Sequence, residues 1–224
     1  MKGREIERLA QKHLLPVLPG FAARRSLVYR QPVEDLLYAV SFETSSFTSS
    51  RIFAEAFVQP LFVPVDFLWS SFGDRLGETP RDEWWDVDEE NPDPTFAAIA
   101  DVVRRDALPL FSELDGLNRF CEVVPRWANA EHKKLKSLQS MDDPVVLEAL
   151  GYAELLRGRD EESLRLLKAA VQSEREDGEY ADEPRIANLE HMIDLVERLE
   201  PEAGRTQLAE WRAQTISALQ LDAS

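Results

Sequence analysis

Two neighbouring stretches of the chain alternate between large apolar and small or polar residues, and this period of two is confined to the first third of the sequence. In Leu36–Thr44 the bulky apolar side chains fall on every second position, and Arg51–Val58 repeats the pattern after a loop rich in serine and threonine. Successive side chains of a strand point to opposite faces, so both stretches predict strands with one face more apolar than the other. The short connection favours antiparallel pairing, because parallel strands need a crossover of roughly a dozen residues.

Two more segments add to the expected sheet. Residues 21–30 predict a turn leading into a strand, and Leu61–Phe67 predicts an extension of the second strand beyond Pro60. The sequence therefore predicts three to four antiparallel strands. Phe72–Pro94, with its glycines, prolines and carboxylates, predicts a loop.

Helical periodicity flanks the strands. Apolar residues at helical spacing predict an amphipathic first helix over Arg4–Leu15 and a helix after Pro94, which we expect Asp93 to cap and Pro109 to bend or restart. A shorter helix is predicted over Leu117–Trp127.

Beyond residue 140 the pattern is helical throughout. The predicted helices are Val145–Leu156, Glu161–Ser173, Pro184–Leu199 and Arg205–Leu219, with Asp143 and Pro144 giving a cap-then-proline start and Gly158 a turn. The expected fold class is α+β: a small antiparallel sheet of three to four strands packed with helices, followed by an all-helical C-terminal half of two helical hairpins. The expected domains are 1–140 and 141–224, joined by a lysine-bearing linker in 128–140.

Charge and composition limit the possible functions. The chain has 224 residues, 44% of them hydrophobic and 30% charged, which is typical of a globular protein. No segment reaches the roughly 18–20 apolar residues of a membrane span, and the first residues carry no apolar signal core, so we expect a soluble, cytoplasmic protein without membrane contact. The net charge of -16 argues against direct binding to a nucleic-acid backbone. Residues 141–224 are the more acidic part, with 9 basic against 20 acidic residues, a net charge of -11.

Residues 145–173 resemble a single degenerate tetratricopeptide-like helical hairpin. The resemblance rests on Leu150-Gly151, Gly158 and Ala170, and Glu154 departs from it where the family has an aromatic residue. In that family the first glycine lets the two helices approach closely and the second forms the turn. The resemblance implies a helix-turn-helix shape.

The front half, roughly residues 4–125, resembles a family of small bacterial α+β proteins of unknown function. The matching residues are Gly20-Phe21, Val40-Ser41-Phe42, Phe57 to Leu61 with Pro64, Phe72 to Leu76, and Ala107 to Phe111. Some members are thought to be immunity or accessory proteins, so the resemblance implies an interaction role and supplies no catalytic residue.

Motifs for catalysis, cofactors and metals give weak signals. The chain has no glycine-rich phosphate loop, nucleophile elbow or paired cysteines, and the single Cys121 is expected to be a core residue. His191 and Asp194 could share a helix face, but the pair alone is a weak metal signal. His13 is expected to be a satisfied core residue. The spacing of Asp86, Asp88 and Glu90 is partly that of a calcium loop, but the glycine that such loops need is replaced by Asn91. We predict no metal and no cofactor.

The acidic loop that contains Trp84 and Trp85 is the preferred interaction site. Neither helical nor strand periodicity accounts for both rings, and aromatic residues surrounded by polar groups are typical of interface anchors. Asp86 and Asp88 complete the predicted site. The alternative is that a loop tryptophan folds back onto the core, with one ring buried and one exposed.

These observations favour a non-enzymatic protein-interaction module, an adaptor or immunity-type accessory protein that binds a partner with a basic surface. One alternative is a small-ligand-binding protein or hydrolase-like enzyme with a pocket between the sheet and the helices after Pro94. A second alternative is an acidic mimic of nucleic acid.

Overall fold

The computed structural model describes residues 2–46, 48, 50–70, 72–77, 84–130, 140–176, 178 and 181–221. The strands are β1 (Phe21–Arg24), β2 (Leu27–Arg30), β3 (Leu36–Thr44), β4 (Arg51–Pro60), β5 (Phe72–Leu76) and β6 (Trp85–Asp86). The helices are α1 (Gly3–His13), α2 (Asp93–Val102), α3 (Leu108–Glu113), α4 (Gly116–Ala128), α5 (Pro144–Leu156), α6 (Asp160–Glu176), α7 (Glu183–Glu197) and α8 (Pro201–Ala218). A π-helical segment, Val103–Ala107, joins α2 to α3.

The sheet is antiparallel, and its strands follow one another in the order β1-β2-β3-β4-β5, with β6 also pairing with β4. The α+β class is thus confirmed. The described sheet has more strands than the three to four expected, because the sequence prediction missed both a hairpin near the N-terminus and the short strands after residue 71.

Turn and glycine chemistry explains the extra strands. β1 and β2 are joined by Arg25 and Ser26, and Arg25 takes a positive φ of 52° that closes a two-residue turn. In β5, a Cβ on Gly73 would lie 2.4 Å from the carbonyl oxygen of Ala56 on β4. Glycine therefore permits a close approach of two strands here, so the predicted loop at Gly73 is wrong.

The predicted extension of β4 over Leu61–Phe67 is wrong. The chain turns after Pro60, and the fully buried Gln59 side chain holds the returning segment. Gln59 Nε2 donates to the carbonyl oxygen of Phe67 at 3.3 Å, and its Oε1 accepts from the backbone N–H of Trp69 at 3.0 Å. The Gln59 side chain thus satisfies backbone groups of the returning segment that a continued strand would have paired in the sheet.

Helices α1 to α4 cover one face of the sheet. Phe42 stacks on Phe96 of α2, and the Tyr38 hydroxyl donates to the carbonyl oxygen of Leu114 while it accepts from the N–H of Gly116. As predicted from Pro109, the helix that begins with α2 is interrupted, and α3 begins after the π-helical segment.

The predicted capping role of Asp93 is wrong. The residue at the N-cap position of α2 is Pro92, and the Asp93 side chain turns towards α1 instead. Its Oδ1 lies 2.7 Å from Lys12 Nζ and 2.5 Å from His13 Nε2. These two contacts lower the pKa of Asp93 to about 2 and link the two helices. His13 is accordingly a partly buried, hydrogen-bonded residue.

The C-terminal half is helical, as predicted. The Asp143 carboxylate caps α5 by accepting from the N–H groups of Val145 and Val146. Gly151 faces Leu167 of α6 so closely that a Cβ would lie 2.6 Å from Leu167 Cδ2, and Gly158 makes the turn with φ +75°. The hairpin geometry is therefore present, while membership of the tetratricopeptide family stays a prediction.

Helix α8 returns to the front half and packs on the second face of the sheet. Ile216 and Leu221 lie in one buried cluster with Tyr29, Leu37 and Phe57. The main cluster also contains residues from both halves.

The predicted domain boundary near residue 140 stays a prediction, since residues 131–139 of the proposed linker lie outside the described residues. Within the described part of the chain, no helix has the length and apolar character needed to cross a bilayer.

Candidate functional site

The two predicted tryptophans lie in different environments. Trp85 belongs to β6 and pairs with Ile52 of β4, so its ring turns into the core, where it is 4% exposed. Its indole Nε1 donates to the carbonyl oxygen of Leu76 at 2.7 Å. Trp85 is thus a structural residue in this fold, and its ring is not presented to a partner.

Trp84 is the exposed ring of the predicted site. It is 38% exposed and meets Phe53 edge to face, with ring centroids 5.3 Å apart and planes at 90°. The guanidinium of Arg75 lies over the other ring of this pair, 4.5 Å from the Phe53 centroid. Because Phe53 alternates with the core residue Ile52, this row lies on the sheet face opposite helices α1 to α4. We call Trp84, Phe53 and Arg75 the aromatic row.

The carboxylates of the predicted site have local partners. Asp86 Oδ1 accepts from Arg51 Nε at 2.6 Å, and this hydrogen bond lowers the pKa of Asp86 although the side chain remains largely exposed. Asp88 Oδ1 accepts from the backbone N–H of Glu90 and so shapes the loop. The structure thus places three exposed side chains next to one another: Asp86 in β6, and Trp84 and Asp88 on either side of that strand.

The described residues contain no group of three or more histidine, cysteine or carboxylate side chains arranged to hold a metal ion. His191 is exposed, and the neighbouring Asp194 is paired with Arg198 at 2.8 Å. His132 lies outside the described residues.

A cavity between the two halves was not located by the sequence patterns. It has a volume of about 420 Å³ and lies between the segment 63–67 that follows β4, the start of α7, the end of α8 and one side chain of α5. Its apolar wall includes Val63, Val65 and Phe67, and its polar wall includes Glu148 and Arg185. Pockets of this size with a few convergent polar groups are typical of small-ligand sites.

Glu148 is the most deeply buried ionisable group of the cavity. It is 2% exposed, and its Oε2 lies 3.2 Å from Nε of Arg185 without a hydrogen bond to any described residue. Arg185 also donates to Glu174 of α6, whose second oxygen accepts from the N–H of Asp182. One guanidinium on α7 thus holds carboxylates from α5 and α6.

Burial is the main influence on these groups. It raises the pKa of Glu148 to about 7, against the opposing attraction of Arg185, and repulsion from Glu174 and Asp182 adds to the shift. Tyr152, one turn further along α5, is buried beside Glu148, and its hydroxyl acts with Arg185 to oppose the rise in the pKa of Glu148. The cavity therefore borders one deeply buried carboxylate, that of Glu148, whose Oε2 is ion-paired with Arg185.

A second cavity, of about 310 Å³, lies at the β5 edge beside the π-helical segment. Its Arg105 pairs with Asp106 at 2.6 Å and also donates to the carbonyl oxygen of Gly77. The charges of that cavity are largely compensated, so the Glu148 cavity is the stronger candidate for ligand binding.

The signal for Glu148 is present in the sequence. A single carboxylate interrupts the apolar run Val145–Leu150, in a helix with almost no polar face. Its partner Arg185 lies two helices later, so no motif spacing connects them.

Comparisons with protein-family models, with curated proteins and with solved structures found no match to this chain. The fold and the two sites define an α+β protein with an exposed aromatic row on its sheet and a cavity that contains a buried carboxylate.

Proposed function

We propose that the protein is an interaction module that binds a partner protein with a basic surface through the aromatic row and the acidic loop beside it. The single observation that carries this proposal is Trp84, a large aromatic side chain that is 38% exposed and packs edge to face against Phe53. Partly exposed tryptophans offer a large contact area and have few side-chain torsions to fix on binding, and they recur as interface hot spots.

The acidic residues around Trp84 support a partner with a basic surface. The exposed Asp86, Asp88 and Glu90 follow Trp84 directly, and Glu43 is exposed on the same sheet. The whole chain carries a net charge of -16. Such a field accelerates the encounter with a basic surface and repels acidic ones. An adaptor or immunity-type role is consistent with this chemistry and stays a proposal, as do the alternatives of an enzyme and a nucleic-acid mimic.

Photo-crosslinking from position 84 tests the proposal directly. A photoreactive phenylalanine analogue replaces Trp84 in cells that make the protein, and the crosslinked species is identified by mass spectrometry. The partner is then purified, and its affinity for the wild-type protein, for Trp84→Ala and for the control Leu199→Ala is measured. Leu199 is 88% exposed, so the control removes an apolar surface side chain away from the aromatic row.

We expect Trp84→Ala to weaken binding by at least about 2 kcal/mol and Leu199→Ala to leave it unchanged. The association rate should fall as salt is added, because acidic and basic surfaces are screened. A partner that binds wild type and Trp84→Ala equally would refute the proposed surface. Trp85 is unsuitable for this test, since truncating a buried ring disturbs the fold.

A further inference from the structure

The Glu148 cavity has a negative balance of charge. Asp66, Glu148 and Asp182 are its acidic lining residues, and Arg185 is its basic one. The guanidinium of Arg185 is already shared between Glu148 and Glu174. The field inside the cavity therefore favours a cation over an anion.

The hydrogen-bonding chemistry of Glu148 also favours a cation. An ionised carboxylate only accepts hydrogen bonds, and the buried Glu148 Oε2 lies 3.2 Å from Arg185 Nε in an ion pair whose geometry is not that of a hydrogen bond. Burying a charged acceptor that has few donors is costly, so a ligand that brings a further N–H donor relieves part of this cost. Ammonium and guanidinium groups supply both the donors and the positive charge.

The remaining walls suit a short hydrocarbon body. Val63, Val65 and Phe67 form an apolar side of the cavity, and Phe67 is 59% exposed. The backbone of this side is fixed at both ends, because Thr215 of α8 donates to the carbonyl oxygen of Val63 and Gln59 holds Phe67. A preformed wall of this kind loses little freedom when a ligand binds.

We propose that this cavity binds a small organic cation, with an ammonium or guanidinium group directed to Glu148 and an apolar body against the 63–67 segment. The cationic group can belong to a free amine or to a lysine or arginine side chain. This site is separate from the aromatic row, so either proposal can fail while the other stands.

A matched ligand series provides the test. Isothermal titration calorimetry with 3-phenylpropylamine, the neutral 3-phenylpropanol and the anionic 3-phenylpropionate compares three head groups on one body. A peptide with a single lysine and a peptide with norleucine in its place form a second arm, which distinguishes a side chain from a free amine. We expect the amine or the lysine peptide to bind at least about tenfold more tightly than its uncharged counterpart at pH 8, a difference of about 1.4 kcal/mol.

Substitutions assign the binding to the cavity. Glu148→Gln keeps the shape and removes the charge, and we expect it to weaken binding of the cation at least about tenfold. Glu122→Gln removes a carboxylate that is 55% exposed on α4, and we expect it to leave the affinity unchanged. Asp66→Asn, on the exposed rim, should weaken binding to a smaller extent than Glu148→Gln.

Acid should weaken binding, because protonation of Glu148 removes the acceptor. The charged and titratable groups that face it are Arg185 and Asp182 at the start of α7, Glu174 on α6, Tyr152 on α5 and Asp66 across the cavity. The affinity of wild type should therefore fall between pH 8 and pH 5.5, and that of Glu148→Gln should change much less. Absence of binding by both cationic probes at 10 mM, or equal binding to wild type and Glu148→Gln, would overturn the proposal.

Discussion

Glu148→Gln should increase the stability of the protein at pH 8 and leave it nearly unchanged at pH 4.5. The pKa of Glu148 rises from 4.5 to about 7 in the folded protein because burial disfavours the charged carboxylate. Between these two values the folded state binds a proton that the unfolded state has released, so stability falls as pH rises. The rise in the pKa of Glu148 from 4.5 to about 7 corresponds to roughly 3 kcal/mol of stability lost between pH 4.5 and pH 8.

Glutamine resembles the protonated carboxylic acid and does not titrate, so the stability of Glu148→Gln should lack this dependence on pH. The assay is urea unfolding of both proteins at several pH values from 4.5 to 8, followed by circular dichroism, with Glu122→Gln as the charge-matched control. We expect the difference between Glu148→Gln and wild type to grow to about 3 kcal/mol at pH 8, and the control to show no such trend. A Glu148→Gln protein that is less stable than wild type at pH 8 would show that the pair with Arg185 stabilises the fold in net terms, contrary to this reasoning.

Three further predictions concern the packing. Trp85→Ala should lower the free energy of unfolding by about 3–5 kcal/mol and Trp84→Ala by about 1 kcal/mol, because only Trp85 is buried and hydrogen-bonded to Leu76. Urea unfolding measures both losses, and equal losses would contradict this assignment. Gly151→Ala should cost about 1–3 kcal/mol in thermal unfolding, since its Cβ would meet the buried Leu167, and a rise in melting temperature would show that the two helices can separate. Cys121 should react with a thiol reagent at pH 8 only after denaturation, because burial raises its pKa to about 12 and the thiolate is the reactive form; rapid reaction of the native protein would indicate local opening.

The sequence predicted the elements whose signals are local. The alternation in Leu36–Thr44 appears as β3, and the Asp143–Pro144 start appears as the capped end of α5. These features depend on residues within a few positions of one another, so they do not need the rest of the fold.

The errors arose where a distant contact decides the local structure. The local sequence predicts a loop at Gly73. A glycine is needed there because a Cβ would collide with the backbone of β4, which is more than 15 positions away in the chain. Asp93 has the ideal chemistry for a cap, yet its carboxylate contacts Lys12 and His13 of α1 instead. In both cases the competing interaction becomes visible only when the elements are packed together.

The candidate sites show the same division. A pair of adjacent tryptophans in an acidic stretch suggested a surface, and the period of a strand decides which ring is exposed: β6 pairs through Trp85, so the neighbouring Trp84 falls outside the core. Had the strand been recognised, the alternation alone would have separated the two roles.

The Glu148 cavity depends on three distant connections at once. The C-terminal half contributes the carboxylate and its arginine, the turn after β4 contributes the apolar wall, and α8 joins them through Thr215. Each connection links residues far apart in the chain, so the cavity requires the helical half to pack against the sheet as it does here. A buried carboxylate with no compensating role only makes the free energy of folding less favourable. Leucine or glutamine could replace such a residue without loss of stability. Glu148 lies in the wall of a preformed cavity, where a bound cation would stabilise the ionised carboxylate and so offset the cost of burying it.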